Sequence, residues 1–151
     1  MDDVDFMRQA LIEAKRAEEE GEVPVGAVIV AAGEIIGRGH NRREARQDPL
    51  AHAELEAIRE ATSARSSFRL TECTMYVTLE PCAMCAGALV NSRVERLVFG
   101  AHDPKAGFVG SLGNLAQDVR LNHRLEVKAG VLAEESSRLL STFFANLRRV
   151  L

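Results

Sequence analysis

Apolar residues near the start of the chain fall at Phe6, Ala10, Ala14 and Ala17, the spacing of one helix face. Asp3 or Asp5 is placed to cap that helix and Gly21 to end it. The pattern then changes. Val25-Gly26-Ala27-Val28-Ile29-Val30 is a short apolar run with β-branched residues, Ala31-Ala32-Gly33 reads as a turn, and Glu34 to Gly39 returns as a second strand, so the segment predicts a hairpin. Residues 40–50 are polar and Arg-rich and predict a loop; a second helix is predicted from about Ala51 to Ala61. Thr74 to Leu79 predicts a third strand. Pro81 stands where a helix can open, and Cys82 to about Asn91 is small and apolar enough to be that helix. Val94 to Phe99 and Leu125 to Val131 predict two more strands. Between them, residues 100–118 carry Gly100, Pro104, Gly107, Gly110 and Gly113, the composition of a long functional loop. The last helix, about Ala133 to Arg149, shows Leu139, Leu140, Phe143, Phe144 and Leu147 at helical spacing. Strands alternating with helices predict an α/β fold, a sheet covered by helices.

Bulk properties narrow the class. The 151 residues, 46% of them hydrophobic, predict one domain over 1–151. A chain of that size hides roughly 70% of its unfolded surface and needs no cross-links. Three cysteines are too few and of the wrong parity for a disulfide scaffold, which favours a reducing compartment. The start, Met1 to Asp5, is acidic rather than leader-like, and no apolar run approaches the roughly 20 residues of a membrane span. The expected location is the cytoplasm, with no membrane contact. A net charge of −3 excludes a general polyanion binder and leaves only local basic patches. Arg38, Arg42, Arg43 and Arg46 crowd one stretch; Lys105, Arg120, Arg124, Arg148 and Arg149 could extend it. With 27% charged residues, an ordinary solvated surface explains them equally well.

The chemistry concentrates in two short segments, His52-Ala53-Glu54 and Pro81-Cys82-Ala83-Met84-Cys85, each at a predicted helix start. Cys82 and Cys85 are three apart and face one way on a helix. In a first helical turn the dipole and free N–H groups favour the thiolate, the form that binds metal. Two thiolates and the His52 imidazole suit tetrahedral zinc and leave one position for water. Glu54, two residues from a ligand, is placed to take a proton from that water and return it to the substrate and the departing group. Alone, Cys-x-x-Cys also fits a redox pair or half of a structural zinc site. A closed structural site needs a fourth ligand, and Cys73, His40, His102 and His123 form no second close pair. His123 reads as a packed structural histidine and Cys73 as an inert, buried or strand-edge thiol.

Together, H-x-E and P-C-x-x-C make a specific signature of zinc nucleobase deaminases. At these residues the chain resembles the cytidine/deoxycytidylate deaminase superfamily, and more closely the bacterial tRNA adenosine deaminase family. The closer likeness includes Glu22-Val23-Pro24-Val25-Gly26-Ala27, Gly39-His40-Asn41-Arg42, Asp48-Pro49, Tyr76-Val77-Thr78-Leu79-Glu80, Phe99-Gly100-Ala101, Asp103-Pro104-Lys105, Gly110-Ser111-Leu112, Asn122-His123-Arg124 and Leu140-Ser141-Thr142-Phe143-Phe144. The resemblance implies a three-layer α/β/α cytidine-deaminase-like fold with a five-stranded mixed sheet. It implies one zinc ion per subunit on His52, Cys82 and Cys85, with Glu54 as proton shuttle, and a homodimer joined near the zinc segments. The implied substrate is the wobble adenosine of a tRNA anticodon stem-loop. Asn41 would bond the purine, the backbone near Ala53 would hold the incoming oxygen, and Asp103, Lys105, Asn122, Phe144 and Arg148 would contact RNA. Phe108-Val109 are bulkier than the resemblance leads one to expect, and the sequence ends soon after Arg148-Arg149, where some relatives carry a longer basic tail. Two other readings stand beside this one. The first is a deaminase of free guanine, cytosine or a nucleoside; the second is a noncatalytic zinc-stabilised binding module.

Overall fold

The computed structural model describes residues 1–150. Its elements are α1 (Asp3–Glu19), β1 (Gly26–Ala31), β2 (Glu34–His40), α2 (Arg43–Arg46), α3 (Ala53–Arg65), β3 (Cys73–Leu79), α4 (Ala83–Asn91), β4 (Arg96–Ala101), β5 (Glu126–Ala129) and α5 (Ala133–Val150). The five strands form one mixed sheet in the order β2-β1-β3-β4-β5. β1 is antiparallel to β2 and to β3, while β3, β4 and β5 run parallel.

Period-two alternation along the central strands splits the interior into two layers. Ala27, Ile29, Met75, Val77, Leu97 and Phe99 meet Ala53, Ala57 and Ala61 of α3 and Ala86, Leu89 and Val90 of α4 on one face. Val28, Val30, Tyr76 and Val98 meet Phe6, Met7 and Ala10 of α1 on the other. The β1–β2 turn closes on Ala32 (φ 49°) and Gly33 (φ 79°), positive φ at both central residues, whose twist matches that of the strands. α3 lies unusually close to β2. A Cβ at Gly39 would fall on the Ala53 carbonyl oxygen, so a side chain there would push away the helix turn that follows His52.

Several sequence expectations are corrected. Asp2, not Asp3 or Asp5, caps α1: its carboxylate accepts from the Asp5 amide at 2.9 Å, and Asp5 accepts from the Asp2 amide at 3.0 Å. That leaves Asp3 free to reach the sheet, where it pairs with both terminal nitrogens of Arg96 (2.8 and 2.7 Å) and accepts from the Tyr76 hydroxyl at 2.7 Å. The predicted loop over 40–50 contains α2, because the buried Glu22 accepts from the Glu44 and Ala45 amides at 3.1 and 2.7 Å. No pattern within residues 40–50 could display a cap supplied from residue 22. α3 continues past Ala61 to Arg65 and closes on Ser66 in the left-handed region. β5 is shorter than predicted, ending before Gly130 at φ 90°. Phe108 and Val109 do not crowd the site: Val109 enters the core and Phe108 packs on Gly113. Among the described residues, no helix is long and apolar enough to cross a membrane.

Candidate active site

His52 and Cys82 occupy equivalent places, the N-caps of α3 and α4, and neither side chain caps its own helix. Both turn instead toward one point, joined by buried Cys85 from the first turn of α4. The His52 Nδ1 lies 3.6 Å from the Cys82 sulfur and 3.4 Å from the Cys85 sulfur, and the three ligand atoms fall within 4.8 Å of one another. A tetrahedron with zinc–nitrogen and zinc–sulfur bonds of about 2.0 and 2.3 Å has a nitrogen–sulfur edge of about 3.5 Å. The donor set and its spacing fit a metal ion, and it is the one such group among the described residues.

The electrostatics set the groups of this cluster apart. The hydrogen bond from Cys85 holds the Cys82 thiol down to about 4, with His52 and the Cys85 amide helping. Cys85, the donor of that bond and a buried group, is pushed up. His52 is raised, first by its bond to Cys82. Glu54, in the first turn of α3, is buried, and burial lifts its carboxyl to about 7. A buried acid poised there is suited to taking and giving protons near neutrality.

These groups lie against a cavity of about 810 Å³, large enough for a nucleotide base with part of its chain. Asn41, Ala53, Asp103, Lys105, Phe144 and Arg148 line it. Asn122 lies outside that lining, exposed in the segment before β5. Asn41 is 6% exposed; its amide nitrogen reaches the Val23 carbonyl at 3.4 Å, and its Oδ1 has no protein partner. Phe144 stands edge-on to Phe143 at 5.4 Å, with Phe143 half-buried and Phe144 exposed on the cavity. A wider groove of about 1060 Å³ between α1 and α5 holds none of the triad.

The arginine crowd separates. Arg38 bonds Glu13 and Gln9, Arg46 pairs with Glu56 at 2.9 Å, and Arg42 lies 3.9 Å from Glu20. Arg120 pairs with Asp118. Arg43 lines the cavity beside Lys105 and Arg148, and none of the three has an ion-pair partner among the described residues. His123 is a structural histidine, its Nε2 2.7 Å from the Val94 carbonyl. Cys73 is a buried thiol at the start of β3.

Sequence reasoning missed His102 and Glu80 as parts of the wall. Glu80 directly precedes Pro81-Cys82, which was the available signal. Its burial would raise its carboxyl, but the Ser111 hydroxyl and the amides of Ser111, Asp103 and Val109 hold it down to about 2. Arg96 likewise holds Asp3 well below its ordinary value. Both groups bind protons less readily folded than unfolded, so their stabilisation is complete above about pH 4.5 and drains away as pH falls below it. Thermal unfolding followed from about pH 6 to about pH 3 should therefore show a steep fall below about pH 4.5, and Asp3→Asn should flatten it. An equally steep fall in Asp3→Asn would remove Asp3 from that account.

A mixed five-stranded sheet with a His/Cys/Cys triad and a buried acid at paired helix starts defines a cytidine-deaminase-like protein. Residues 1–148 match the MafB19-like deaminase family. The tRNA-specific adenosine deaminase of Bacillus subtilis is 58% identical over 95% of this chain and 89% of its own length, and that of Haemophilus influenzae is 52% identical over 97% and 85%. A solved structure from a study of A-to-I editing by tRNA:A34 deaminases at the wobble position is 44% identical with a TM-score of 0.86, covering 89% of this chain and 98% of that one. A guanine deaminase structure from Bacillus subtilis is 29% identical with a TM-score of 0.67 over 94% of each chain. The chain belongs to the MafB19-like deaminase family and, with these relatives, to the tRNA-specific adenosine deaminases.

Proposed function

We propose that this protein is a zinc-dependent hydrolase that converts the wobble adenosine of a tRNA anticodon to inosine and releases ammonia. The observation that carries the reading is the convergence of three ligands, His52, Cys82 and Cys85, beside the buried Glu54 at a nucleotide-sized cavity. Relatives bearing the tRNA-specific name at 45–58% identity support the choice of substrate.

His52, Cys82 and Cys85 would hold one zinc ion per chain. Zinc so held would supply a water in its fourth position and lower that water's pKa to about 7. Glu54 takes a proton as the water oxygen bonds to carbon 6 of adenine, and gives it to ring nitrogen 1. Carbon 6 becomes tetrahedral and the ring loses its aromaticity. Glu54 next moves the remaining hydroxyl proton to the amino nitrogen. The carbon–nitrogen bond breaks, ammonia leaves with the electron pair, and the carbonyl of inosine remains. Asn41, whose Oδ1 has no protein partner, hydrogen-bonds the purine, and the Ala53 backbone faces the new oxygen. Phe144 offers a stacking face to a neighbouring base, Lys105 and Arg148 attract phosphates, and Asp103 bonds sugar or base. Asn122 would touch RNA beyond the cavity. An anticodon loop suits such a site because its bases are already partly splayed. Assembly as a homodimer near the zinc segments and work in the cytoplasm complete the reading.

The test is incubation with an anticodon stem-loop bearing adenosine at the wobble position, with free adenosine, guanine and cytosine in parallel, and detection of products by mass. Inosine in the stem-loop is expected. Deamination of free bases alone would sink the tRNA reading in favour of a small-molecule deaminase.

A further inference from the structure

Glu80 has no place in the proton transfers, yet its carboxylate is fully buried. A carboxylate in that position is costly unless its oxygens are hydrogen-bonded. Among the described residues, no lysine or arginine pairs with it. The partners all come from one stretch of chain: the amides of Asp103 (2.9 Å), Val109 (3.0 Å) and Ser111 (3.0 Å), the Ser111 hydroxyl, and the His102 Nδ1 at 3.2 Å.

That stretch lies between β4 and β5, where the chain from His102 to Leu125 forms no helix or strand of its own. Its order therefore depends on contacts of this kind. Two backbone links reinforce the clamp: the Phe108 amide donates to the Pro81 carbonyl at 2.8 Å, and Gly107 bridges Cys82. A Cβ at Gly107 would fall on the Glu80 carboxylate and push it off these partners. The same stretch puts His102, Asp103 and Lys105 on the cavity wall.

We propose that Glu80 is the positioning residue of the substrate-binding wall: its carboxylate clamps residues 102–111 to the segment carrying Cys82, and so sets affinity for the nucleotides flanking the reacting base. It acts through the loop and not on the reacting atoms. The inference rests on the nucleic-acid substrate proposed above.

The test compares the parent with Glu80→Gln, which keeps the shape but turns one acceptor into a donor, and with Ser111→Ala, which removes one donor to Glu80 and leaves His52, Cys82 and Cys85 unaltered. Charge-assisted bonds are strong enough that Glu80→Gln should raise KM for the stem-loop about tenfold or more, with kcat changed about twofold at most. Ser111→Ala should move KM the same way by less. On a Glu54→Ala background, where no turnover intervenes, stem-loop affinity by fluorescence anisotropy should fall in the same order. Hydrogen exchange at the amides of Asp103, Val109 and Ser111 should quicken while metal content stays that of the parent. A fall in kcat at unchanged KM, or unchanged affinity in Ser111→Ala despite faster exchange, overturns the clamp. If Glu80→Gln does not fold, Ser111→Ala alone decides. A parent that leaves the stem-loop unmodified refutes the substrate reading whatever the variants do; a parent that acts on it with variants that bind normally refutes the clamp alone.

Discussion

Glu54→Ala should leave a folded protein that binds metal as the parent does and deaminates about 10³ to 10⁴ times more slowly. A positioned acid–base group typically supplies about 10² to 10⁴ of rate, and Glu54 is asked to move protons in both halves of the reaction, which puts the loss at the upper end. The side chain is buried in the first turn of α3, so removing it takes away an ionisable group whose burial is itself unfavourable. Folding should therefore survive, and circular dichroism with metal analysis would establish that it does. Glu54→Gln separates volume from proton chemistry, because it fills the same space and cannot shuttle. Both variants should lose kcat with little change in KM, since the lost interaction is made only on the way to the transition state. Normal turnover in either would exclude Glu54 as the shuttle.

Removing the metal should be nearly as costly. Dialysis against a strong chelator should lower the rate about 10³-fold or more, and added zinc should restore it, because polarisation by a metal ion is worth several kcal/mol. Cys85→Ala should have the same effect without rescue, as it deletes one of only three ligands. Cys85 is fully buried, so that variant also loses core packing. The chelation arm keeps the two causes apart. Metal content well below one ion per chain with full activity would contradict the proposed chemistry. A fourth protein ligand and no activity in the parent would instead support a noncatalytic module.

The His/Cys/Cys group was legible because its signal is local. Helix starts at His52 and Cys82 follow from short stretches of pattern, and the three-residue step from Cys82 to Cys85 is a helical step. The hairpin and the alternation of β3 and β4 were legible for the same reason. What failed were features whose partner lies far along the chain. α2 depends on Glu22, and Asp3 is bound to Arg96 and Tyr76 on two strands. The basic stretch looked like one patch only because Glu13, Glu20 and Glu56, which engage Arg38, Arg42 and Arg46, lie outside that stretch of sequence.

The role of Glu80 marks the boundary. Its sequence neighbours place it beside a metal ligand and say nothing of the loop that closes on it more than twenty residues later. Periodicity and spacing indicated the α/β class and the order of most elements, and the H-x-E and P-C-x-x-C signature singled out His52, Glu54, Cys82 and Cys85, since each is written within one helix turn or one strand. Only the tertiary structure decided which cations remain unpaired at the cavity, that Asn41 keeps a free acceptor there, and that the loop of the wall bonds a buried carboxylate. Those properties belong to pairs of groups that meet only when the sheet has formed, and pairing across such distances leaves no period in the chain.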